Sequence, residues 1–249
     1  MKGTVYLVGA GPGAPDLLTL RAASLLGRAG IVFHDALVHS EVLALASNAE
    51  KVFVGKRCGR HATAQRFINK RLVDASRKHT VVVRLKGGDP MLFGRAQEEI
   101  DALREANVPV EVVPGVTSAL AASADLRVSL TRRGMSRSVT FVTPRIGVGE
   151  DPGQWVRAVR SADTAAIYMG AGEAKTIASA LIAAGMSPGT PVAVVESASS
   201  PEVRTLTATL ADLPAIASLT AGGPALILVG EVYREAIQHE SASHGQRIA

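Results

Sequence analysis

The sequence predicts an α/β protein, and three observations carry that prediction. Short Val-rich runs recur along the chain and alternate with segments of helical period, as strands do when helices separate them. The runs are nearly continuous in apolar residues, the pattern of mainly parallel sheets covered on both faces. Two of them deliver the backbone into glycine-rich corners, Gly9-Ala10-Gly11-Pro12-Gly13 after Val5-Tyr6-Leu7-Val8, and Gly87-Gly88-Asp89-Pro90 after Val82-Val83-Arg84-Leu85-Lys86. A chain of 249 residues holds one large domain or two medium ones.

Taken in order, strands are expected at Val5–Gly9, Ile31–Asp35, Val81–Lys86, Val110–Val113, Val139–Thr143, Thr164–Tyr168, Val192–Val195, Arg204–Thr207 and Ala225–Val229. Helices are expected at Asp16–Ala29, Ala64–Lys78, Arg95–Ala106, Ser118–Ala124, Gly172–Ala184 and Leu210–Ser218. Pro15 suits a helix start, since the missing N–H falls where no intrahelical partner exists. Within Ala64–Lys78, Ile68, Leu72 and Ala75 line a buried face, while Phe67, Arg71, Asp74 and Lys78 form a mixed, solvated one. Pro144–Gly153 is rich in Gly and Pro, lacks periodicity and reads as a surface loop. The chain changes character nearby. A domain boundary is therefore expected at Arg133–Arg137, giving an N-terminal α/β domain over 1–135 and a C-terminal one over 136–249. The polar tail Gln238–Ala249 reads as frayed.

The net charge of +5 makes the surface attractive to anions. No long Lys/Arg block or aromatic-basic interleaving is present, so a small polycarboxylate is the expected anion rather than nucleic acid. The single cysteine, Cys58, excludes an internal disulfide and an all-thiolate metal site; it reads as a free thiol, and no metal is expected. Met1-Lys2-Gly3 runs straight into a strand-like segment without a charged and then apolar leader, and no stretch holds eighteen uninterrupted apolar residues. A cytoplasmic protein without membrane contact is expected.

Gly87 and Gly88 let the main chain approach a ligand closely, Pro90 fixes the exit, and Asp89 is placed to accept hydrogen bonds at the rim. The Gly9–Ala14 corner also matches the dinucleotide pattern, with Asp35 about 20 residues on as the ribose-binding acid. Pro12 and Pro15, however, remove two backbone N–H groups from the turn that would cradle a pyrophosphate. That loss of donors argues against a diphosphate ligand.

With both corners in place, the chain resembles the tetrapyrrole methyltransferase family from Val5 to Val232. The matching segments are Val8-Gly9-Ala10-Gly11-Pro12-Gly13, His34-Asp35-Ala36-Leu37-Val38, Val54-Gly55-Lys56-Arg57, Arg84-Leu85-Lys86-Gly87-Gly88-Asp89-Pro90, Phe93-Gly94-Arg95 and Pro114-Gly115-Val116-Thr117-Ser118. Tyr168-Met169-Gly170, Thr190-Pro191-Val192-Ala193 and Pro224–Gly230 follow in the second half. The resemblance implies two α/β domains of the tetrapyrrole methylase type, an active site in the cleft between them, and a homodimer. It implies S-adenosyl-L-methionine (SAM) as methyl donor, leaving as S-adenosyl-L-homocysteine. SAM would be held by Pro12, Gly87, Gly88, Asp89, Leu92, Thr117, Ser118, Met169 and the backbone at Ala198. The donor carries no phosphate, in keeping with the first corner, where prolines leave few amide donors, and Met169 is a soft side chain suited to a flat base.

The Gly-Lys-Arg and Arg-Leu-Lys-Gly-Gly-Asp-Pro segments favour the branch of the family that acts on uroporphyrinogen III. That substrate carries many carboxylates, which arginines grip with two-pronged geometry. Arg57, Arg60, Arg95, Arg132, Arg133 and His61 are the candidate substrate contacts, each of which also reads as an ordinary surface charge. The resemblance implies two C-methylations on adjacent rings, giving precorrin-2 via precorrin-1, in siroheme- or cobalamin-type biosynthesis. It assigns Asp35 as proton acceptor and Lys56 as proton donor or charge partner; without it, Asp35 reads as a strand-end turn residue and Lys56 as a surface amine. Some segments depart from the family pattern: Gly94-Arg95-Ala96-Gln97-Glu98-Glu99, Ser129-Leu130-Thr131-Arg132-Arg133, and Ala198 where glycine is common. These bear on substrate choice, so a later corrin precursor such as precorrin-4 stays open. A Rossmann-type oxidoreductase and a SAM-binding protein without catalysis stand as further alternatives.

Overall fold

The computed structural model describes residues 2–55, 61–147 and 149–237, with the side chains of 61–64 outside the description. The chain divides into two compact units, Met1–Ser118 and Ala119–Ala249. The division falls before the expected boundary near 135. Ala119, Ala121 and Ala122 pack with Ala166, Ala193 and Leu228, so this alanine-rich helix joins the second unit's core.

The first unit is a five-stranded sheet in the order β3-β2-β4-β1-β5. Its strands are β1 (Thr4–Gly9), β2 (Ile31–His34), β3 (Glu50–Phe53), β4 (Val81–Lys86) and β5 (Val110–Val113), all parallel. Helices α1 (Leu20–Arg28) and α2 (Ser40–Ala44) cover one face, and α3 (His61–Ser76) and α4 (Ala96–Glu105) cover the other. Successive residues of a strand face opposite ways. Val5 and Leu7 therefore join Leu72, Ile100 and Leu103, while Val8 joins Leu25, Leu26 and Val42. On α3, Ile68, Leu72 and Ala75 are buried as expected, and Arg71 stacks over Phe33 and Phe67 at 5.6 Å from each ring centre.

The expected Asp16–Ala29 helix is shorter. Residues Pro15–Leu17 form a single 3-10 turn, and α1 begins at Leu20, where the Thr19 hydroxyl accepts from the Ala22 N–H. A side-chain cap satisfies the free helix end and fixes the start. Neither β3 nor α2 was anticipated. β3 is an edge strand carrying Glu50 and Lys51, and α2 spans little more than one turn, so neither imposes a clear hydrophobic period.

α5 (Ser118–Leu126) starts at the last residue of the first unit and runs into the second, whose sheet has the order β6-β7-β10-β8-β9. These strands are β6 (Val139–Val142), β7 (Thr164–Ile167), β8 (Pro191–Glu196), β9 (Arg204–Thr209) and β10 (Ala225–Gly230). Only β6 and β7 run parallel; β10 is antiparallel to both β7 and β8, and β8 to β9. The expectation of mainly parallel sheets thus fails for this unit. No helix separates β8 from β9, and a short connection returns the chain antiparallel. Helices α6 (Gln154–Ser161), α7 (Ala174–Ala183) and α8 (Leu213–Ala217) cover one face, and α5 covers the other. α6, which was not anticipated, directly follows the Gly/Pro-rich loop.

Candidate functional site

The strand order places a switch point in the first sheet. The chain leaving β1 travels over α1 toward β2, whereas the chain leaving β4 travels over α4 to β5 on the other side. Two loops that diverge at the carboxyl ends of neighbouring strands leave a crevice there, the usual ligand position in open α/β sheets. Both glycine corners emerge at this point.

The corners are joined to each other. Ala10 N–H donates to the Lys86 carbonyl at 2.7 Å, Gly88 N–H to the Gly11 carbonyl at 2.7 Å, and Gly11 N–H to the Gly88 carbonyl at 3.2 Å. Gly11 (φ 73°) and Gly88 (φ 67°) both adopt the left-handed region that glycine enters at little cost. A third strand exit is pressed against them. A Cβ on Gly115 would lie 2.4 Å from the Gly88 carbonyl oxygen, and one on Gly9 would lie 2.6 Å from the Gly115 backbone. Asp89 locks the junction: its Oδ1 accepts from Met91 N–H at 2.8 Å and its Oδ2 from Gly115 N–H at 2.9 Å. The expectation that Asp89 accepts hydrogen bonds at the rim holds, and the donors are backbone amides of its own loop and of the β5 exit.

Thr117 lies against the same corner, its Cα 4.0 Å from where a Gly88 Cβ would stand. Pro12, Gly87, Leu92 and Ser118 are half-buried around it, with Leu92 N–H donating to the Asp89 carbonyl at 3.3 Å. Of the nine candidate SAM contacts, Pro12, Gly87, Gly88, Asp89, Leu92, Thr117 and Ser118 thus belong to the first unit's strand exits. Met169 and Ala198 belong to the second unit, where they follow β7 and β8. Met169 is exposed and left-handed (φ 57°), and buried Ala198 stands between the left-handed Ser197 (φ 52°) and Ser199 (φ 65°). Non-glycine residues held in that region carry local strain of about 1–3 kcal/mol, which clusters at ligand sites.

Asp35 leaves β2 beside this corner. Its Oδ1 accepts from Leu37 N–H at 3.0 Å, and a Cβ on Gly87 would meet the Leu37 side chain at 2.6 Å, so the Asp35 turn is wedged against the β4 exit. Asp35 Oδ2 lies 3.7 Å from the Arg84 guanidinium. Behind it lies a charged cluster that sequence reasoning did not assign. Glu99 on α4 is fully buried; its Oε1 accepts from Arg84 Nε at 3.1 Å and its Oε2 from Lys86 Nζ at 2.9 Å. Gln65 on α3 donates to the same Oε1 at 3.3 Å. Burial pushes the Lys86 ammonium below its ordinary value of 10.5, and Glu99 opposes that shift. The sequence held a signal. Arg84 and Lys86 sit at alternate positions of a strand buried on both faces, and two buried cations on one face demand a buried acid.

The remaining candidates lie elsewhere. Arg95 is exposed and doubly bonded to Glu98, at 2.6 and 2.7 Å. Arg132 is exposed and pairs with Glu235 at 2.8 Å, and Arg133 is exposed in the same turn. Lys56, Arg57 and Arg60 lie outside the described residues, as does the side chain of His61, the first residue of α3.

The arrangement fits a donor without phosphates. The corner offers backbone at two left-handed glycines, a proline where an amide donor would stand, and hydroxyl residues on the β5 exit. Pro12 and Pro15 withhold two amide donors from the turn after β1, and α1 starts only at Leu20, with Thr19 capping the Ala22 N–H. A dinucleotide would need those donors and a helix opening directly from the glycine turn, and the Rossmann-type reading loses its main support.

A doubly wound parallel sheet with joined glycine corners at its switch point, followed by a second α/β unit with a mixed sheet, defines a class of protein. The chain belongs to the family of tetrapyrrole (corrin/porphyrin) methylases, whose model matches residues 4–214. It is 45% identical over 250 residues to a siroheme synthase of Psychrobacter sp., covering 99% of this chain and 50% of that protein. The chain spans about half the length of the curated relatives it matches. Among solved structures it resembles uroporphyrin-III C-methyltransferase of Thermus thermophilus complexed with S-adenosyl homocysteine (44% identity, TM-score 0.80, covering 93% of this chain and 99% of that one). It also resembles a cobalt precorrin-4 methyltransferase (29% identity, TM-score 0.81, covering 92% and 95%).

Proposed function

We propose that this chain methylates carbon atoms of uroporphyrinogen III with SAM, on two adjacent rings, giving precorrin-2 via precorrin-1. The observation that carries the reading is the joined corner at Gly11 and Gly88, built for close backbone approach and short of amide donors at Pro12. Family membership supports it, and so does the S-adenosyl homocysteine in the related Thermus protein. The higher identity to that protein, 44% against 29% for the precorrin-4 enzyme, favours the earlier substrate.

When bound, SAM supplies an electrophilic methyl group on a sulfonium. The chain's part is to hold and orient. Gly87, Gly88 and Pro12 present backbone; Thr117 and Ser118 offer hydroxyls; Leu92 gives an apolar wall; Asp89 keeps the corner closed. Met169 and Ala198 are the second unit's share of the set. Asp35 accepts the proton that leaves the methylated macrocycle: Leu37 N–H holds Oδ1, and Oδ2 is the oxygen left for that proton. Lys56 is its proposed proton donor or charge partner. Arg57, Arg60, His61, Arg95, Arg132 and Arg133 are the proposed carboxylate contacts; for Arg95 and Arg132 a substrate carboxylate would replace an exposed acid, and exposed pairs of that kind cost little to break. Among the described residues no helix is long and apolar enough to cross a membrane. A cytoplasmic homodimer is part of the proposal, and so is a role in siroheme- or cobalamin-type biosynthesis.

The test is transfer of labelled methyl from SAM to uroporphyrinogen III, with two methyl groups per macrocycle expected. No label in that substrate, beside an active control enzyme, rejects the reading. Asp35→Ala should lower turnover by about 100-fold while leaving SAM affinity near its normal value. Unchanged turnover would remove Asp35 from the proton-accepting role.

A further inference from the structure

Arg84 stands between two carboxylates of unequal status. On one side is Glu99, fully buried, 3.1 Å from Arg84 Nε and also holding Lys86 at 2.9 Å. On the other is Asp35, whose side chain is 26% exposed and stays 3.7 Å away, beyond good hydrogen-bond distance. Arg84 Nη1 donates to the Leu85 carbonyl at 3.0 Å, which fixes the guanidinium plane. A buried arginine ordinarily closes on a reachable carboxylate with short, paired bonds. Here the pair stays open because Glu99 takes the Nε side and carries the counter-charge for both cations.

We infer that Glu99 is a positioning residue for the methyl-transfer reaction: it holds Arg84 back from Asp35, so that Asp35 Oδ2 stays available as an acceptor beside the glycine corner. This inference rests on the proposed role of Asp35 for its kinetic consequence, but not for its structural one. Among the described residues, the charged groups facing the pair are Arg84 and Lys86 from β4 and Glu99 from α4. Gln65 from α3 is neutral, and Glu98 and Arg95 bond each other on the exposed side of α4. On β2, His34 approaches the Asp35 carbonyl rather than its carboxylate. With Glu99 neutralised, Asp35 is the nearest anion left to Arg84, and the open pair closes.

The test is Glu99→Gln, read in two ways. A crystal structure should show the Arg84–Asp35 separation contracting from 3.7 Å to about 2.9 Å. Kinetics should show kcat for methyl transfer falling about 10-fold with KM for SAM unchanged, because the acceptor is now occupied. In an Arg84→Met background the guanidinium that would close on Asp35 is gone, so adding Glu99→Gln should change kcat by less than about 2-fold. Should the single variant fail to fold, Lys86→Met with Glu99→Gln removes one cation together with the anion and asks the same question. An Arg84 that stays at its present distance overturns the inference, and so does an equal loss of kcat with and without Arg84. Absence of methyl transfer by the unaltered protein would instead reject the proposed function, and the crystallographic comparison would still decide whether Glu99 holds Arg84 away.

Discussion

Among the described residues two glutamates are buried, one in each unit, and they are satisfied in opposite ways. Glu99 meets side-chain cations, Arg84 and Lys86, inside the parallel unit. Glu196 meets backbone: it accepts from Ala221 N–H at 2.9 Å and Gly223 N–H at 2.7 Å, with Arg204 at 3.7 Å. The second solution pins the turn that leads into β10. Asp163 does similar work at the other side of that sheet, accepting from the Arg137 and Ser138 N–H groups and from the Ser138 hydroxyl. Amides cannot move without moving the chain, whereas a cation on a long side chain can change partner. The difference teaches where to look for chemistry, which is on the side where buried charge is held by side chains.

The comparison breaks first at Glu99. Glu99→Ala leaves two buried cations without their acid and should cost about 3–5 kcal/mol of stability, measured by denaturant unfolding. A loss under about 1 kcal/mol would mean that water or another group already screens them. Gly115→Ala comes next. Its Cβ would stand 2.4 Å from the Gly88 carbonyl oxygen, a backbone atom that cannot swing away, so about 3 kcal/mol should be lost together with SAM binding.

Glu196→Ala should cost less, about 1–3 kcal/mol, because it leaves amide donors unpaired but no orphan charge. Its pH dependence sharpens the contrast. Burial pushes the Glu196 carboxyl up, but the amides of Ala221 and Gly223 and the charge of Arg204 outweigh it and bring it below 4.5. The folded value lies below the unfolded one, so the stabilisation is complete above 4.5 and is lost as pH falls through the lower folded value. Thermal unfolding followed from about pH 7 down to about pH 3 should therefore steepen at the acid end in the wild type and less so in Glu196→Gln. The smallest effect has the opposite sign. Gly27 in α1 is exposed, with nothing within 4 Å of a built Cβ, and Gly27→Ala should gain about 0.5–1 kcal/mol.

Much of the first unit was legible. Apolar runs bounded by glycine placed β1, β2, β4 and β5 to within a residue, and the two corners stood out because glycine, proline and aspartate have narrow backbone uses. Less of the second unit was legible. Its strands were placed well, but their direction was not, since an apolar strand reads alike whether its neighbour runs parallel or antiparallel. Asp35 was reached through a resemblance; the residues alone left it a turn former. Glu99 was passed over as one of many charges on a helix, because pairing across thirteen or more residues leaves no local pattern.

By itself the sequence determined the class of elements, the corner chemistry and the family, all of which depend on residues adjacent in the chain. Only the tertiary structure decided that Gly9, Gly88 and Gly115 converge, that Asp89 spends its oxygens on two loops, and that Arg84 is shared between Glu99 and Asp35. Those facts depend on which strand lies beside which, and strand order is set by packing helices onto two faces of a sheet, a balance summed over the whole unit rather than written at any one position.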